Sequence, residues 1–458
     1  MNLLNKKILI VGLGKSGVAA ARFLKKQGAL VTVTDMKKAE ELTSFEPIVR
    51  EMGIRMELGR HSFEIFEQSD FIVLSPGVPH TLLPVKNAKE KGIPVLGETE
   101  LASRFIREPI VAITGTNGKT TTTTLVGEML KSSGLKVFVG GNIGNPLIEY
   151  VDKGEKADVV VAEVSSFQLD TIASFRPKVA LLLNITEDHL DRYKDFDAYA
   201  AAKGRIFENQ QKEDVSIFNG NDPIIRSMAK QFKSKRSPFF TDSCRCDAEM
   251  GKGAVITQEK ITFYTDENKK KVLDLKNLTL PGKHNIENIA AAGLASLAAG
   301  GSLEGIRSAL NNFQGLSHRL EYAGTINGVD YFDDSKATNV DAVARALEAF
   351  SRPLIVIMGG RDKGGSYDVL KDLVRKHVKK IILMGEAKEN IKSVLGPIVP
   401  TQVESAMEDA VFSAYQTAVP GDAVLLSPAC SSFDMYDGYA QRGEFFCNAI
   451  AKLKGRQI

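Results

Sequence analysis

The chain has 458 residues, room for about three domains, with 43% hydrophobic and 25% charged residues, the balance of an ordinary globular protein. A net charge of +3, with no basic run interleaved with aromatics, does not suggest a nucleic-acid surface, and no apolar stretch reaches the ~20 residues of a membrane span. Cys244, Cys246, Cys430 and Cys447 form no disulfide or zinc framework, and Met1–Lys7 lacks the apolar core of a signal peptide, so a reducing cytoplasm is expected.

Lys7–Val11 reads as a short apolar strand running into Gly12-Leu13-Gly14-Lys15-Ser16-Gly17 and then a helical pattern that Gly28 ends. A second strand, Leu30–Thr34, finishes at Asp35. This is the G-x-G-x-x-G arrangement, with a diphosphate expected at the helix end and Asp35 near a ribose or base. Phe71–Leu74 is a further strand ending at Ser75, in the kind of loop where parallel sheets bind ligands. By itself this segment suits a nicotinamide-linked oxidoreductase. That reading leaves the rest of the chain idle.

Ile110–Thr114 is followed by Gly115-Thr116-Asn117-Gly118-Lys119-Thr120-Thr121-Thr122 and an apolar-periodic helix. Glycines admit backbone N–H groups to phosphate oxygens, and the helix N-terminus adds partial positive charge. Lys119 can reach the β- and γ-phosphates, and the Thr120 hydroxyl can ligate Mg²⁺. The loop departs from the usual pattern at one place, Ile113, where a glycine normally stands.

Lys136–Val139 reads as a strand before a Gly-rich loop carrying Asn142, and Asp158–Val164 as a strand whose Glu163 suits Mg²⁺ beside the phosphate loop. Ser165 and Gln168 follow. Val179–Ile185 delivers Asn184, Thr186, Glu187, Asp188 and His189; a helix cap at Thr186 would explain the acids but not His189, which reads as a site residue. Phe196–Phe207 is helical, and its spacing makes Lys203 a surface lysine. Residues 254–280 alternate apolar and polar about Asp266-Glu267-Asn268, a hairpin pattern. An Ala-rich helix opens near Asn285, with Asn288 three residues on, so both can face one ligand unless Asn285 is a cap.

Beyond about residue 317, strands at Asp330–Phe332, Pro353–Met358, Ile381–Met384 and Ala423–Leu426 alternate with helices, which predicts a second Rossmann-like parallel sheet. Its loops carry Arg319, Asp333-Asp334-Ser335-Lys336-Ala337-Thr338-Asn339, Lys363, and Ser432-Phe433. The fold class expected is α/β in three domains: residues 1–98 Rossmann-like, 99–316 a central P-loop ATP-binding domain, and 317–458 Rossmann-like.

Gly115–Thr121, Asn184–Tyr193 and Asp333–Asn339 together resemble the Mur ligase family, and the likeness runs from the Gly12–Gly17 loop to Ser427–Gly443. Asp334-Ser335-Lys336-Ala337-Thr338-Asn339 is similar to the branch that adds D-glutamate. The resemblance implies an ATP-dependent amide ligase of peptidoglycan precursor synthesis. ATP would phosphorylate the carboxylate of UDP-N-acetylmuramoyl-L-alanine, and the amine of D-glutamate would displace the phosphate. It implies Thr120 and Glu163 on one Mg²⁺, His189 near a second, and Lys203 carbamylated to help bind that metal. Lys119, His189 and Lys203 are then the catalytic set. It also implies the UDP substrate on Gly14, Lys15, Ser16, Asp35 and Ser75, with Asn142, Ser165 and Gln168. ATP would meet residues 116–122, Asn285, Asn288, Arg319 and Asp334. D-glutamate would lie on Lys336, Thr338, Lys363, Ser432 and Phe433, with Tyr439 beside the pocket. A monomer is expected, with closure of the third domain completing the site.

Overall fold

The computed structural model describes residues 1–241, 252–265, 270–276 and 282–455. Cys244, Cys246 and the hairpin tip at Asp266-Glu267-Asn268 lie outside them. The rest is α/β, with three sheets. Its residues fall into two compact units, one within Met1–Ile185, Asp197–Leu278 and Glu287–Asn312, the other within Thr186–Phe196, Thr279–Ile286 and Phe313–Ile458.

The first sheet comprises β1 (Lys7–Val11), β2 (Leu30–Asp35), β3 (Arg55–Leu58), β4 (Phe71–Leu74) and β5 (Val95–Gly97), in the order β3-β2-β1-β4-β5. All its pairings are parallel. The order reverses between β2 and β4, either side of β1, so the Gly12–Gly17 loop sits at the switch point where such sheets bind ligands. Leu9, Val11, Ile72 and Leu74 are buried in one apolar cluster with Phe66, Val85 and Ala88.

The second sheet comprises β6 (Ile110–Thr114), β7 (Val137–Gly141), β8 (Val159–Glu163), β9 (Val179–Leu182), β10 (Val215–Asn219), β11 (Lys235–Thr241), β12 (Gly253–Ile256), β13 (Lys260–Tyr264) and β14 (Lys270–Asp274). Their order is β14-β13-β12-β11-β10-β9-β6-β8-β7. Pairing is parallel except across β12-β13-β14. The alternating segment is therefore a three-stranded antiparallel extension, one strand more than the hairpin its pattern suggests. β6, β8 and β9 are buried throughout, as strands covered on both faces must be.

Two boundaries depart from the sequence reading. β9 ends at Leu182 rather than Ile185: Leu183 N–H makes the last bond to β6, at Thr114 O, and Asn184 O then turns to Thr116 N–H in the loop that follows β6. No helix starts at Thr186; the chain runs irregularly to the helix Phe196–Gly204, which ends in a tight turn at Arg205–Phe207. Capping thus does not account for Glu187 and Asp188.

The third sheet lies in the second unit. It comprises β15 (Glu321–Ile326), β16 (Val329–Asp333), β17 (Leu354–Gly359), β18 (Val378–Met384), β19 (Thr401–Val403) and β20 (Ala423–Leu426), in the order β15-β16-β20-β17-β18-β19. It is parallel except for the β15-β16 edge hairpin, which the sequence reading did not anticipate. Apolar clusters cover both faces. No helix among the described residues is long and apolar enough to cross a membrane.

Candidate active site

β6 delivers the phosphate loop into the N-terminus of the helix Lys119–Ser132. Gly118 precedes that helix at φ +83°, and a Cβ there would lie 2.4 Å from Asn288 Oδ1. Both facts demand glycine. Asn288 also accepts from the Thr122 hydroxyl at 3.3 Å, so the helix Lys283–Ala298 braces the loop from behind. That helix begins at Lys283, which puts Asn285 inside its first turn and removes the capping account of Asn285.

Asn184 clamps the same loop. Its Oδ1 accepts from Asn117 N–H at 2.8 Å, its Nδ2 donates to Asn117 O at 3.1 Å, and its own carbonyl accepts from Thr116 N–H at 3.0 Å. Lys119 Nζ lies over the loop, 2.9 Å from the carbonyl oxygens of Gly115 and Thr116. Lys203 Nζ reaches Gly115 O at 2.9 Å as well and stands 4.6 Å from the centroid of the Tyr199 ring, whose hydroxyl bonds Thr116 Oγ1 at 3.1 Å. Lys203 is 2% exposed, which overturns its reading as a surface lysine: the short helix turns Tyr199, Ala200, Ala202 and Lys203 inward together.

β8 runs beside β6 with Glu163 opposite Ile113, two residues before Gly115. Glu163 is 2% exposed; its Oε1 accepts from Asn142 Nδ2 at 2.8 Å, and its Oε2 has no hydrogen-bond partner among the described residues. A buried carboxylate oxygen without a partner is costly. A divalent cation held with Thr120 at the helix start fits that donor set, hard oxygen ligands beside a phosphate cradle.

In the first sheet, Gly14 stands at the start of the helix Lys15–Lys26 without a side-chain cap, Ser16 lies in its first turn, and Lys15 Nζ reaches Gly144 O at 2.6 Å and Asn145 Oδ1 at 3.1 Å. Asp35 braces this loop: Oδ2 accepts from Leu13 N–H at 2.6 Å and Oδ1 from Lys37 N–H at 2.8 Å. The Ser75 hydroxyl donates to Gly12 O at 2.7 Å. Ser165 and Gln168 cap the helix Ser166–Leu169 reciprocally: Gln168 Oε1 accepts from the N–H and hydroxyl of Ser165, both at 2.9 Å.

The second unit gathers the other predicted residues. Asp334 is buried; burial pushes its carboxyl up to about 7, against the Ser427 hydroxyl at 2.9 Å and the Arg319 charge. Lys336 Nζ lies 4.9 Å from the centroid of the Tyr439 ring. Thr338 is half-buried, Ser432 is buried and Phe433 is 65% exposed. Lys363 Nζ and Asn339 Nδ2 both donate to the buried Asp188 carboxylate, at 3.3 and 3.0 Å. Asp188 in turn accepts from the N–H of His189, which holds a left-handed φ of +56°. That conformation is rare for a residue with a Cβ and is a mark of functional segments.

Arg442 is a residue the sequence reading missed. Buried on the last helix, it donates to Ser335 O at 2.8 Å, Cys430 O at 3.1 Å and Gly359 O at 3.5 Å. It ties the end of β17 to the loops after β16 and β20. Nothing in its local sequence distinguishes it from any helical arginine.

Sequence models of three domains match the chain: a Mur ligase MurD-like N-terminal domain over residues 6–97, a Mur ligase middle domain over 113–296, and a Mur ligase glutamate ligase domain over 318–430. The UDP-N-acetylmuramoylalanine--D-glutamate ligase of Desulfosudis oleivorans is 53% identical over 98% of this chain and 97% of its own. The protein of the same name from Desulfatibacillum aliphaticivorans is 51% identical, over 99% and 100%. Among solved structures, a pseudomurein peptide ligase type C from Methanothermus fervidus superposes with a TM-score of 0.62 at 22% identity, covering 98% of this chain and 100% of its own. The UDP-N-acetylmuramate-alanine ligase MurC from Thermotoga maritima gives 0.60 at 18%, with the same coverage. At these identities the structures speak to the fold.

Proposed function

The chain belongs to the Mur ligase family, and from that premise we propose how it works: it is an ATP-dependent ligase that joins D-glutamate to UDP-N-acetylmuramoyl-L-alanine in peptidoglycan precursor synthesis. The phosphate cradle at Gly115–Thr122, with Lys119 over it and Asn184 clamping it, is the observation that carries the reading.

A carboxylate is a poor electrophile, so the reaction must first convert it. One oxygen of the L-alanyl carboxylate attacks the γ-phosphorus of ATP, ADP leaves, and an acyl phosphate forms. The D-glutamate amine then attacks the acyl carbon, gives up a proton, and the tetrahedral intermediate expels inorganic phosphate as the amide forms. Charge builds on the transferring phosphoryl oxygens, and stabilising it is the main catalytic task. Lys119 leaves its loop carbonyls for those oxygens, and the first N–H groups of its helix donate beside it. Thr120 and the free oxygen of Glu163 would hold Mg²⁺, which supplies further positive charge when bound.

Two ions and a carbamate on Lys203 complete the proposal. The buried Lys203 amine, once it has lost its proton, would add CO₂ and release a second proton, and the resulting carbamate would be a carboxylate-like group able to help hold a second Mg²⁺ with His189. The residues carried over from the family keep their assignments. Gly14, Lys15, Ser16, Asp35, Ser75, Asn142, Ser165 and Gln168 serve the UDP substrate. Asn285, Asn288, Arg319 and Asp334 serve ATP, and Lys336, Thr338, Lys363, Ser432, Phe433 and Tyr439 serve D-glutamate. The working division stays 1–98, 99–316 and 317–458, and a monomer in the cytoplasm is the form proposed.

The test is phosphate release with ATP, Mg²⁺ and UDP-N-acetylmuramoyl-L-alanine across a panel of amino acids. D-glutamate alone should support it. Release without any amino acid, or with another in its place, would overturn the assignment.

A further inference from the structure

The link between the first two sheets is a helix of six residues, Glu98–Ser103, directly after β5. Its first three side chains are Glu98, Thr99 and Glu100, two carboxylates and a hydroxyl, and all three are buried. Such residues at a linker are expected in water. Here each is consumed by a different helix or turn that connects strands of the second sheet.

Glu98 Oε1 accepts from Ile148 N–H at 2.7 Å, capping the helix Leu147–Lys153 from outside, where Pro146 provides no side-chain cap. That helix follows the loop that carries Asn142 and receives Lys15. Thr99 Oγ1 accepts from Gln168 Nε2 at 2.9 Å. Glu100 takes the N–H groups of Ala173, Ser174 and Phe175 at 2.8–3.0 Å and the Ser174 hydroxyl at 2.6 Å. Gly97, one residue earlier, has no room for a side chain: its Cβ would lie 2.2 Å from Thr171 Oγ1.

We propose that Glu98, Thr99 and Glu100 are positioning residues for the UDP substrate, Thr99 by orienting the Gln168 amide and Glu98 by fixing the Asn142 loop. The inference rests on the function proposed above, since Asn142 and Gln168 are assigned there to that substrate. Gln168 Oε1 is committed to Ser165, and its nitrogen makes one hydrogen bond among the described residues, to Thr99. With that bond in place the second N–H has one direction, and the Ser165 hydroxyl is locked with it. Without it, the amide is held through Oε1 alone, and its nitrogen end can swing about that anchor. Glu100 and Gly97 hold the following turn, so the three residues set two substrate loops against the sheet that carries the Gly12–Gly17 loop.

The experiment is a comparison of Thr99→Val with Thr99→Ser in the full chain. Valine keeps shape and removes the acceptor; serine keeps it. Thr99→Val should raise KM and the calorimetric Kd for UDP-N-acetylmuramoyl-L-alanine about 5- to 20-fold, about 1–2 kcal/mol at 1.4 kcal/mol per tenfold. Its kcat, and its KM for ATP and D-glutamate, should stay within about twofold, and Thr99→Ser should restore the affinity. A purely structural role would instead lower Tm and kcat with every KM unmoved, and that result, or equal affinities for valine and serine, overturns the proposal. Wild-type turnover measured alongside separates the two failures: absent wild-type ligation sinks the assigned function, whereas normal wild-type ligation with unaltered Thr99→Val affinity sinks the positioning role alone.

Discussion

Lys119 and Lys203 donate to the same atom: each ammonium lies 2.9 Å from the carbonyl oxygen of Gly115. One comes from the phosphate-loop helix and the other from the helix Phe196–Gly204. Two cations converging on one carbonyl repel each other in a site partly closed to water. The repulsion would fall if Lys119 moved to a phosphate or if Lys203 took up the proposed carbamate, so under that proposal the pair favours the loaded site over the empty one.

Lys119→Ala removes the charge proposed to meet the transferring phosphoryl group. Its kcat should fall about 10²–10³-fold, the scale of losing one transition-state donor. Acyl phosphate trapped by hydroxylamine should vanish with it. Trapping at the wild-type level would remove Lys119 from the chemistry.

Lys203→Ala should lose activity by a similar factor, because the proposed carbamate disappears together with the Tyr199 contact. Added acetate or propionate can enter the space and supply a carboxylate, so activity should return in part and saturate with acid concentration. Rescue by methylamine instead of acetate would show that the cation, not the carbamate, is what the enzyme uses.

Asn184→Ala opens the phosphate loop without touching a phosphate. It deletes two hydrogen bonds between the Asn184 amide and the part-buried backbone of Asn117, a net loss of about 0.5–1.5 kcal/mol each. ATP affinity should drop about tenfold, read by calorimetry with a non-hydrolysable analogue, while the KM for D-glutamate holds. Unchanged ATP affinity would mean that the loop keeps its shape unaided.

The phosphate loop was legible because its parts are adjacent in sequence: β6, Gly118, Lys119 and the helix follow one another within ten residues or so. The first Rossmann-like unit was legible for the same reason. Asn184 and Asn117 are 67 positions apart, and Asp188 with Lys363 175 apart; no local pattern links them. Lys203 was misread because an amphipathic pattern reports the face of a helix, not a neighbour that covers it. Asp35 was read for a ribose, and its oxygens are found on the backbone of Leu13 and Lys37, which leaves lone pairs for a ligand but shows a first duty in the loop. Glu98–Glu100 carry no motif, and composition alone cannot show three charged or polar groups each satisfied across a junction.

Two buried carboxyls set a pH dependence of stability. Burial pushes Glu98 up to about 7, opposed by the N–H groups of Ile148 and Leu147 and the Thr99 hydroxyl. Burial does the same to Asp334, also to about 7. Each folded pKa lies above the unfolded value near 4, so between them the folded state holds a proton the unfolded state has released. Their contribution is full below about pH 4 and is lost as pH rises through about 7. Burial lowers His61 and His284, the latter to about 4, and acts oppositely, but only below about pH 6.5, where an unfolded histidine is charged. From about pH 6.5 to 7.5 the carboxyls dominate: at pH 7, where each folded carboxyl is half protonated, stability should fall at about 0.7 kcal/mol per pH unit for each group, and the slope should fade by about pH 8. Glu98 and Asp334 belong to different compact units. Glu98→Gln keeps an oxygen acceptor and removes the titration, so it should flatten the pH slope of the urea transition of the first unit and leave the second unit's slope intact. Asp334→Asn should do the reverse. Wild-type slopes in both variants would mean that neither carboxyl keeps its proton on folding.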